Sequence, residues 1–162
     1  MIKSSTPQER LLFMPPRLYR PTRLLLSSFF TATGKYLLAS ASTEALSQAL
    51  YHAPFCVLSH NTEVDPIFNY ANKTAQALFE MSWDELTSLP SRLSAEPIEQ
   101  QERNTLLSRV REHGFIDDFT GIRVSATGKK FLITDAIVWD IRDEHDIYHG
   151  QAVVLYSWTC QP

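Results

Sequence analysis

Only two cysteines, Cys56 and Cys160, occur in the chain. That count fits a reducing cytoplasm and leaves the fold to a packed core rather than to a disulfide framework. Long apolar runs are also missing. The longest is far short of the ~20 residues a membrane helix needs, and Leu24-Leu25-Leu26 gives way at once to Ser27-Ser28, so neither a membrane span nor a signal peptide is expected. No glycine-rich phosphate loop is present, which excludes P-loop and Rossmann nucleotide binding at the level of motif. No G-x-S-x-G elbow accompanies Ser59-His60 and Asp65, so a serine hydrolase is not expected. Basic excess is lacking too: the net charge is −3. It divides unevenly, with six Lys/Arg against Glu9 alone from Met1 to Lys35, and nine against seventeen Asp/Glu thereafter. An acidic body argues against a duplex-binding surface.

What is present suits one domain. The 162 residues, 44% hydrophobic and 20% charged, are enough for a core. Residues 1–23 are rich in proline and arginine and read as a poorly ordered arm, with Met14 an alternative start. A targeting role for this segment, and hence an organellar location, is the alternative to a cytoplasmic one. Residues 24–162 read as the domain.

Helices are expected over 23–33, stopped by Gly34, and from Ser42-Thr43-Glu44 through Tyr51, stopped by Pro54. Residues 55–60 read as a strand apolar on both faces, hence central and covered on both sides. Ile67, Phe68 and Tyr70 make a second strand. Asn72 is placed to cap a helix carrying Ala75, Leu78 and Phe79. Ser82-Trp83-Asp84-Glu85 forms a capping box, with Met81 and Leu86 as a hydrophobic staple. Pro90 ends that element. Pro97 opens a longer helix to His113, with Ile98, Leu106, Leu107 and Val110 inward and Gly114 as its cap. Residues 115–125 and 129–142 then read as a hairpin about Thr127-Gly128, and residues 147–160 as the last strand.

A strand, a helix capped by Asn72 and a capped short helix resemble the central part of Per-Arnt-Sim (PAS) domains. The wording is closer still to one PAS-like family, the MEKHLA domain. The strings that carry the match are Asn69-Tyr70-Ala71-Asn72, Leu78-Phe79-Glu80-Met81, 90–97 (PSRLSAEP), 114–118 (GFIDD) and Gly150-Gln151-Ala152. The resemblance spans residues 24–160. It implies an α+β fold with a PAS-like five-stranded antiparallel sheet in the order 2-1-5-4-3, central helices on one face and N-terminal helices packed outside. The family occurs as stand-alone proteins and at the C-terminus of plant homeodomain-leucine-zipper regulators, and has no established activity.

In such domains small molecules sit between sheet and central helices. Phe79, Trp83, Arg92, Phe115, Phe131, Asp135, Trp139 and Gln151 are the candidate ligand contacts. Asp135 stands out because strict alternation puts it among Phe131, Ile133, Ile137, Trp139 and Ile141. There an unpartnered carboxylate is costly. It serves a ligand, pairs with Arg92 or Arg123, or turns to solvent at a bulge. A glutamine on the last strand touches the cofactor of flavin-binding relatives, and Gln151 occupies that strand. The adduct-forming Asn-Cys-Arg-Phe-Leu type motif is absent, however, so photoadduct chemistry is not expected and no cofactor is assigned. His145 and His149 among Asp143, Glu144 and Asp146 read as turn charges rather than a metal site. Cys56 and Cys160 are expected on neighbouring strands.

Three functions remain open. One is a sensory module binding a small apolar or aromatic ligand and signalling by dimer or partner contacts. Another is a ligand-free interaction module using the N-terminal helices as a homodimer surface. The third is a small enzyme using Asp135. None involves nucleic acid or a membrane.

Overall fold

The structure, a computed structural model, describes residues 18–38, 43–95 and 97–161, with backbone alone at 43, 44, 97–100 and 103. Most of the expected arm, the Met14 alternative and the inward face of Ile98 lie outside the described residues. The helices are α1 (Tyr19–Thr33), α2 (Thr43–Tyr51), α3 (Lys73–Phe79), α4 (Trp83–Leu86) and α5 (Pro97–His113), with a 3-10 turn at Ser91–Ser94. The strands are β1 (Cys56–His60), β2 (Phe68–Ala71), β3 (Phe115–Val124), β4 (Lys130–Arg142), β5 (Tyr148–Leu155) and β6 (Trp158–Cys160). Helix α1 begins before Arg23, and Leu18 and Thr22 are already buried.

The strands pair antiparallel in the order β2-β1-β5-β4-β3, and the short β6 adds to β4. The expected last strand is therefore two, separated by a bend at Tyr156. Strand β6 crosses to the first half of the long β4, where Cys160 faces Phe131, while Cys56 faces Leu155. The two cysteines are not on neighbouring strands, and both are free thiols.

The sheet is covered on both faces, as its doubly apolar β1 requires. On the inner face Cys56, Leu58, Ile116, Phe119, Phe131, Ile133, Ala136, Val138 and Leu155 meet Ala75, Phe79, Leu86, Leu106 and Val110 from α3, α4 and α5. On the outer face Val57, Tyr70, Trp139, Ile141, Ala152 and Val154 meet Leu25, Phe29 and Leu50 from α1 and α2. Burying a side chain such as Phe79 contributes about 2–3 kcal/mol.

Asn72 joins the layers. Its side-chain oxygen accepts from Ala75 N (3.1 Å), capping α3, and from Val57 N (3.0 Å). Its amide donates to the carbonyls of Leu50 (3.0 Å) and Phe55 (2.8 Å). The capping box forms with both bonds, Glu85 N to Ser82 Oγ and Ser82 N to Glu85 Oε1. Gly150, at φ +122°, marks where β5 meets the end of β1. A Cβ there would stand 1.9 Å from the His60 carbonyl oxygen, so no side chain fits.

Candidate ligand site

Strand β4 decides which side chains reach the space beneath α3–α5. Between the pairs Phe119↔Ala136 and Gly121↔Ile133, β4 carries one residue more than β3. That bulge lies at Thr134-Asp135, and Asp135 takes a left-handed φ of 53°. An extra residue reverses the alternation beyond it. Phe131 and Ile133 face inward before the bulge, Ala136 and Val138 after it, and Ile137, Trp139 and Ile141 turn to the outer core. Asp135 itself is exposed. The expected face shared by Asp135, Phe131 and Trp139 is therefore wrong, and the enzyme reading loses its residue.

A cavity of about 70 Å³ remains between the inner face and the helices. Its apolar wall includes Leu58, Phe68, Phe79, Leu106, Phe119, Ile133, Val138, Val153 and Leu155. Polar groups enter it from Ser91, Ser94 and Arg123. Ser94 Oγ donates to the Ser91 carbonyl at 2.7 Å. Arg123, 7% exposed, donates from Nη1 to the Ile122 carbonyl at 2.8 Å and lies over the Phe119 ring, 5.0 Å from its centroid.

Of the eight expected contacts, Phe79 lines the cavity and Phe131 packs edge-on behind it, with centroids 5.1 Å apart. Gln151 closes the α5 end from two residues beyond Val153 on β5. The other five lie elsewhere. Trp139 is in the outer core, where Nε1 donates to Ser28 Oγ at 2.9 Å and Phe29 meets the ring edge-on. Phe115 packs against the same core. Trp83 turns outward to Tyr70, with centroids 5.5 Å apart. Arg92 is half-exposed and pairs with Asp65 at 3.1 Å. Asp135 is on the solvent side of the bulge.

Sequence reading named Arg123 only as a partner for Asp135, and missed Asp140. Arg123 is placed by the alternation Phe119, Gly121, Arg123, a visible period-two signal. Asp140 is placed inward by the bulge, which leaves no such signal. Cross-strand pairs put His60, Gln151 and Asp140 in one row over three adjacent strands, next to the cavity row Leu58, Val153 and Val138. Gln151 Nε2 donates to Asp140 Oδ1 at 2.9 Å and to the Leu107 carbonyl at 3.2 Å. Burial pushes the Asp140 carboxyl up, against the Gln151 hydrogen bond and the nearby Arg142 and Arg111 charges.

The remaining candidates are separate structures. Asp143 meets His149 Nε2 at 2.9 Å and accepts from the amides of Ile147 and His145, which together hold its carboxyl down to about 2. His145 points instead to Glu144. Among the described residues no group of His, Cys, Asp and Glu is arranged to hold a metal ion. Ser59, His60 and Asp65 do not converge: Ser59 Oγ donates to Asn69, His60 Nδ1 meets the Asn61 carbonyl, and Asp65 holds Arg92. Cys56 is a buried strand thiol pushed up to about 12 by desolvation. No described helix is long and apolar enough to cross a membrane.

The architecture and sequence both have counterparts. The chain is 26% identical over 104 residues to the homeobox-leucine zipper protein ATHB-9 of Arabidopsis thaliana, covering 62% of this chain and 12% of that one. It is 25% identical over 125 residues to the homeobox-leucine zipper protein HOX29 of Oryza sativa subsp. indica, covering 75% and 14%. It thus spans about an eighth of the length of these relatives. The PAS domain of a Colwellia psychrerythraea protein superposes with a TM-score of 0.61 at 16% identity, over 72% of this chain and 96% of that one. The light-state dimer of the fungal blue-light photoreceptor Vivid gives 0.62 at 11%, over 90% and 99%. The PAS domain of a LuxR-family transcriptional regulator from Burkholderia thailandensis, in complex with ethanol, gives 0.52 at 16%, over 66% and 92%. These likenesses establish the PAS fold, and the MEKHLA domain model matches residues 20–160: the chain belongs to the MEKHLA domain family.

Proposed function

We propose that the chain is a PAS-type sensory module in which a small, mainly apolar molecule occupies the cavity beneath α3–α5 and changes how the domain meets a partner. The carrying observation is that cavity, set between the sheet and helices where PAS folds have room for a guest and walled by buried apolar side chains. At about 70 Å³ it is roughly half the size of an apolar cavity that accepts benzene. A flavin-sized cofactor does not fit it. The ethanol held by the Burkholderia PAS domain is a guest of the right scale.

A second reading, dimerisation or partner docking without a ligand, draws on the outer surface. Phe30 and Tyr36 stack with centroids 4.6 Å apart and are 42% and 79% exposed. They border a groove of about 280 Å³ with Leu26, Leu37, Leu38 and Leu46. The two readings coexist if this surface is the output. Native mass spectrometry separates them when compared with the denatured mass. A small mass lost on denaturation supports the sensory reading and identifies the guest by size. A dimer of bare chains supports the interaction module.

A further inference from the structure

The cavity of about 70 Å³ has room for roughly three non-hydrogen atoms, by scale with one that accepts benzene. A larger guest has to move a wall, and the walls differ in what holds them. Strands β1, β4 and β5 carry the outer core on their other face, so they are packed from both sides. Helix α3 is pinned by the Asn72 cap and by Gln76, whose Nε2 donates to the Tyr51 hydroxyl at 3.0 Å and the Ala71 carbonyl at 2.9 Å. Helix α5 is held least. Among its described side chains only Leu106 and Val110 are buried, and Thr105, Ser108, Arg109 and Glu112 face solvent. Few buried apolar contacts mark a segment that opens locally.

Polar ties join the C-terminal half of α5 to the sheet. Leu107 lines the cavity with its side chain, while its carbonyl accepts from Gln151 Nε2 at 3.2 Å. One turn on, the Arg111 guanidinium lies over the Tyr148 ring of β5, 4.7 Å from its centroid. The Gly114 carbonyl then accepts from Asp140 N at 2.9 Å. Arg109 adds an exposed pair with Asp118 at 3.6 Å, which holds little. The two bonds of Gln151 are unequal. The one to the Asp140 carboxyl is 2.9 Å and charge-assisted when that group is ionised. The one to Leu107 is neutral and longer. Displacement of α5 therefore opens the Leu107 bond first and leaves Gln151 with β4.

Resting on the cavity reading above, we propose that α5 is the moving wall of the site. A guest larger than the cavity displaces Leu107, opens its bond to Gln151 and lifts Arg111 from Tyr148, with Gly114 as the pivot. The output then lies on the α5 face, across the sheet from α1 and α2.

The test compares ethanol, which fits the cavity, with 1-butanol, which exceeds it, on the full-length protein. Saturable shifts of the Ile133 and Val138 methyls report binding, and backbone hydrogen exchange over 106–113 reports the helix. Ethanol is expected to leave that exchange within about twofold, and 1-butanol to speed it by about fivefold or more while α3 and β5 stay within about twofold. Gln151→Leu is expected to speed the same amides without any guest and to remove the further response to 1-butanol. Where Gln151→Leu fails to fold, the ethanol and 1-butanol comparison on the unaltered protein decides by itself. Bound 1-butanol with exchange over 106–113 unchanged or slowed overturns the moving wall and leaves the sensory reading standing. Binding of ethanol without 1-butanol does the same, as does a 1-butanol response undiminished in Gln151→Leu. Failure of both alcohols to saturate the cavity methyls overturns both readings.

Discussion

Gln151 holds Asp140 at 2.9 Å while its second amide hydrogen reaches the Leu107 carbonyl at 3.2 Å. One side chain thus ties β4, β5 and α5 together at the end of the cavity. A guest in the proposed site that pressed on Leu106 or Leu107 would act on the same helix that this bond holds to the sheet.

Asp140 is ionised at a cost, because burial raises its carboxyl above the ordinary aspartate range. The native state holds the proton to higher pH than the unfolded chain does, so this group's contribution to stability falls as pH rises through the raised value. Asp140→Asn keeps an acceptor for Gln151 and removes the charge. Its melting temperature at pH 7 is expected to equal or exceed that of the parent. The advantage should vanish below the ordinary aspartate range. Asp140→Leu, which strands the Gln151 N–H, is expected to cost about 1–3 kcal/mol. Thermal melts across pH check both.

Glu80 works in the opposite direction. It ends α3 with φ 57° and accepts from Thr127, Lys129 and Ser125, fastening the β3–β4 turn to the helix. These hydrogen bonds, Thr127's first, hold its carboxyl down to about 2. The tie is complete above the ordinary glutamate range and is lost as pH falls through about 2. Glu80→Gln is expected to flatten the acid limb of the stability curve in that interval and to leave the limb above it parallel to the parent's. Denaturant titrations at stepped pH measure this.

Asn72→Ala removes an N-cap and strands buried partners on β1, α2 and α3 at once. The expected loss is roughly 2–4 kcal/mol in urea unfolding. A loss below about 1 kcal/mol, the level of a solvated cap alone, would contradict its role between the layers.

Trp139→Phe separates the two faces of the sheet. It removes the bond to Ser28 and is expected to cost about 1–2 kcal/mol without changing any guest's affinity for the inner cavity. Paired unfolding and titration experiments check the two halves. A folded variant with altered guest affinity would place Trp139 in the site after all.

Local chemistry made much of the fold legible. Asn72, the Ser82–Glu85 box and the glycine after α5 each fix an element end with their own hydrogen bonds or conformation, and the apolar alternation of 55–60 already implies a central strand covered twice. The sheet order came from the family resemblance instead. The site was less legible because a bulge is a register event between strands. Asp135 among the apolar residues 131–141 allows a bulge as one of three readings, the one the structure adopts, but does not choose among them, so strict alternation misplaces Trp139 and overlooks Asp140. Arg92 failed for a different reason: its partner, Asp65, is 27 residues away in the loop between β1 and β2.

The most direct test of the cavity as a guest site is diffraction from crystals pressurised with xenon. One xenon peak is expected between Phe79, Leu106, Ile133 and Val153, with the sheet unmoved. Well-diffracting crystals with no xenon there, or with side chains closed into the space, would contradict the sensory reading and leave the Phe30–Tyr36 surface as the functional feature.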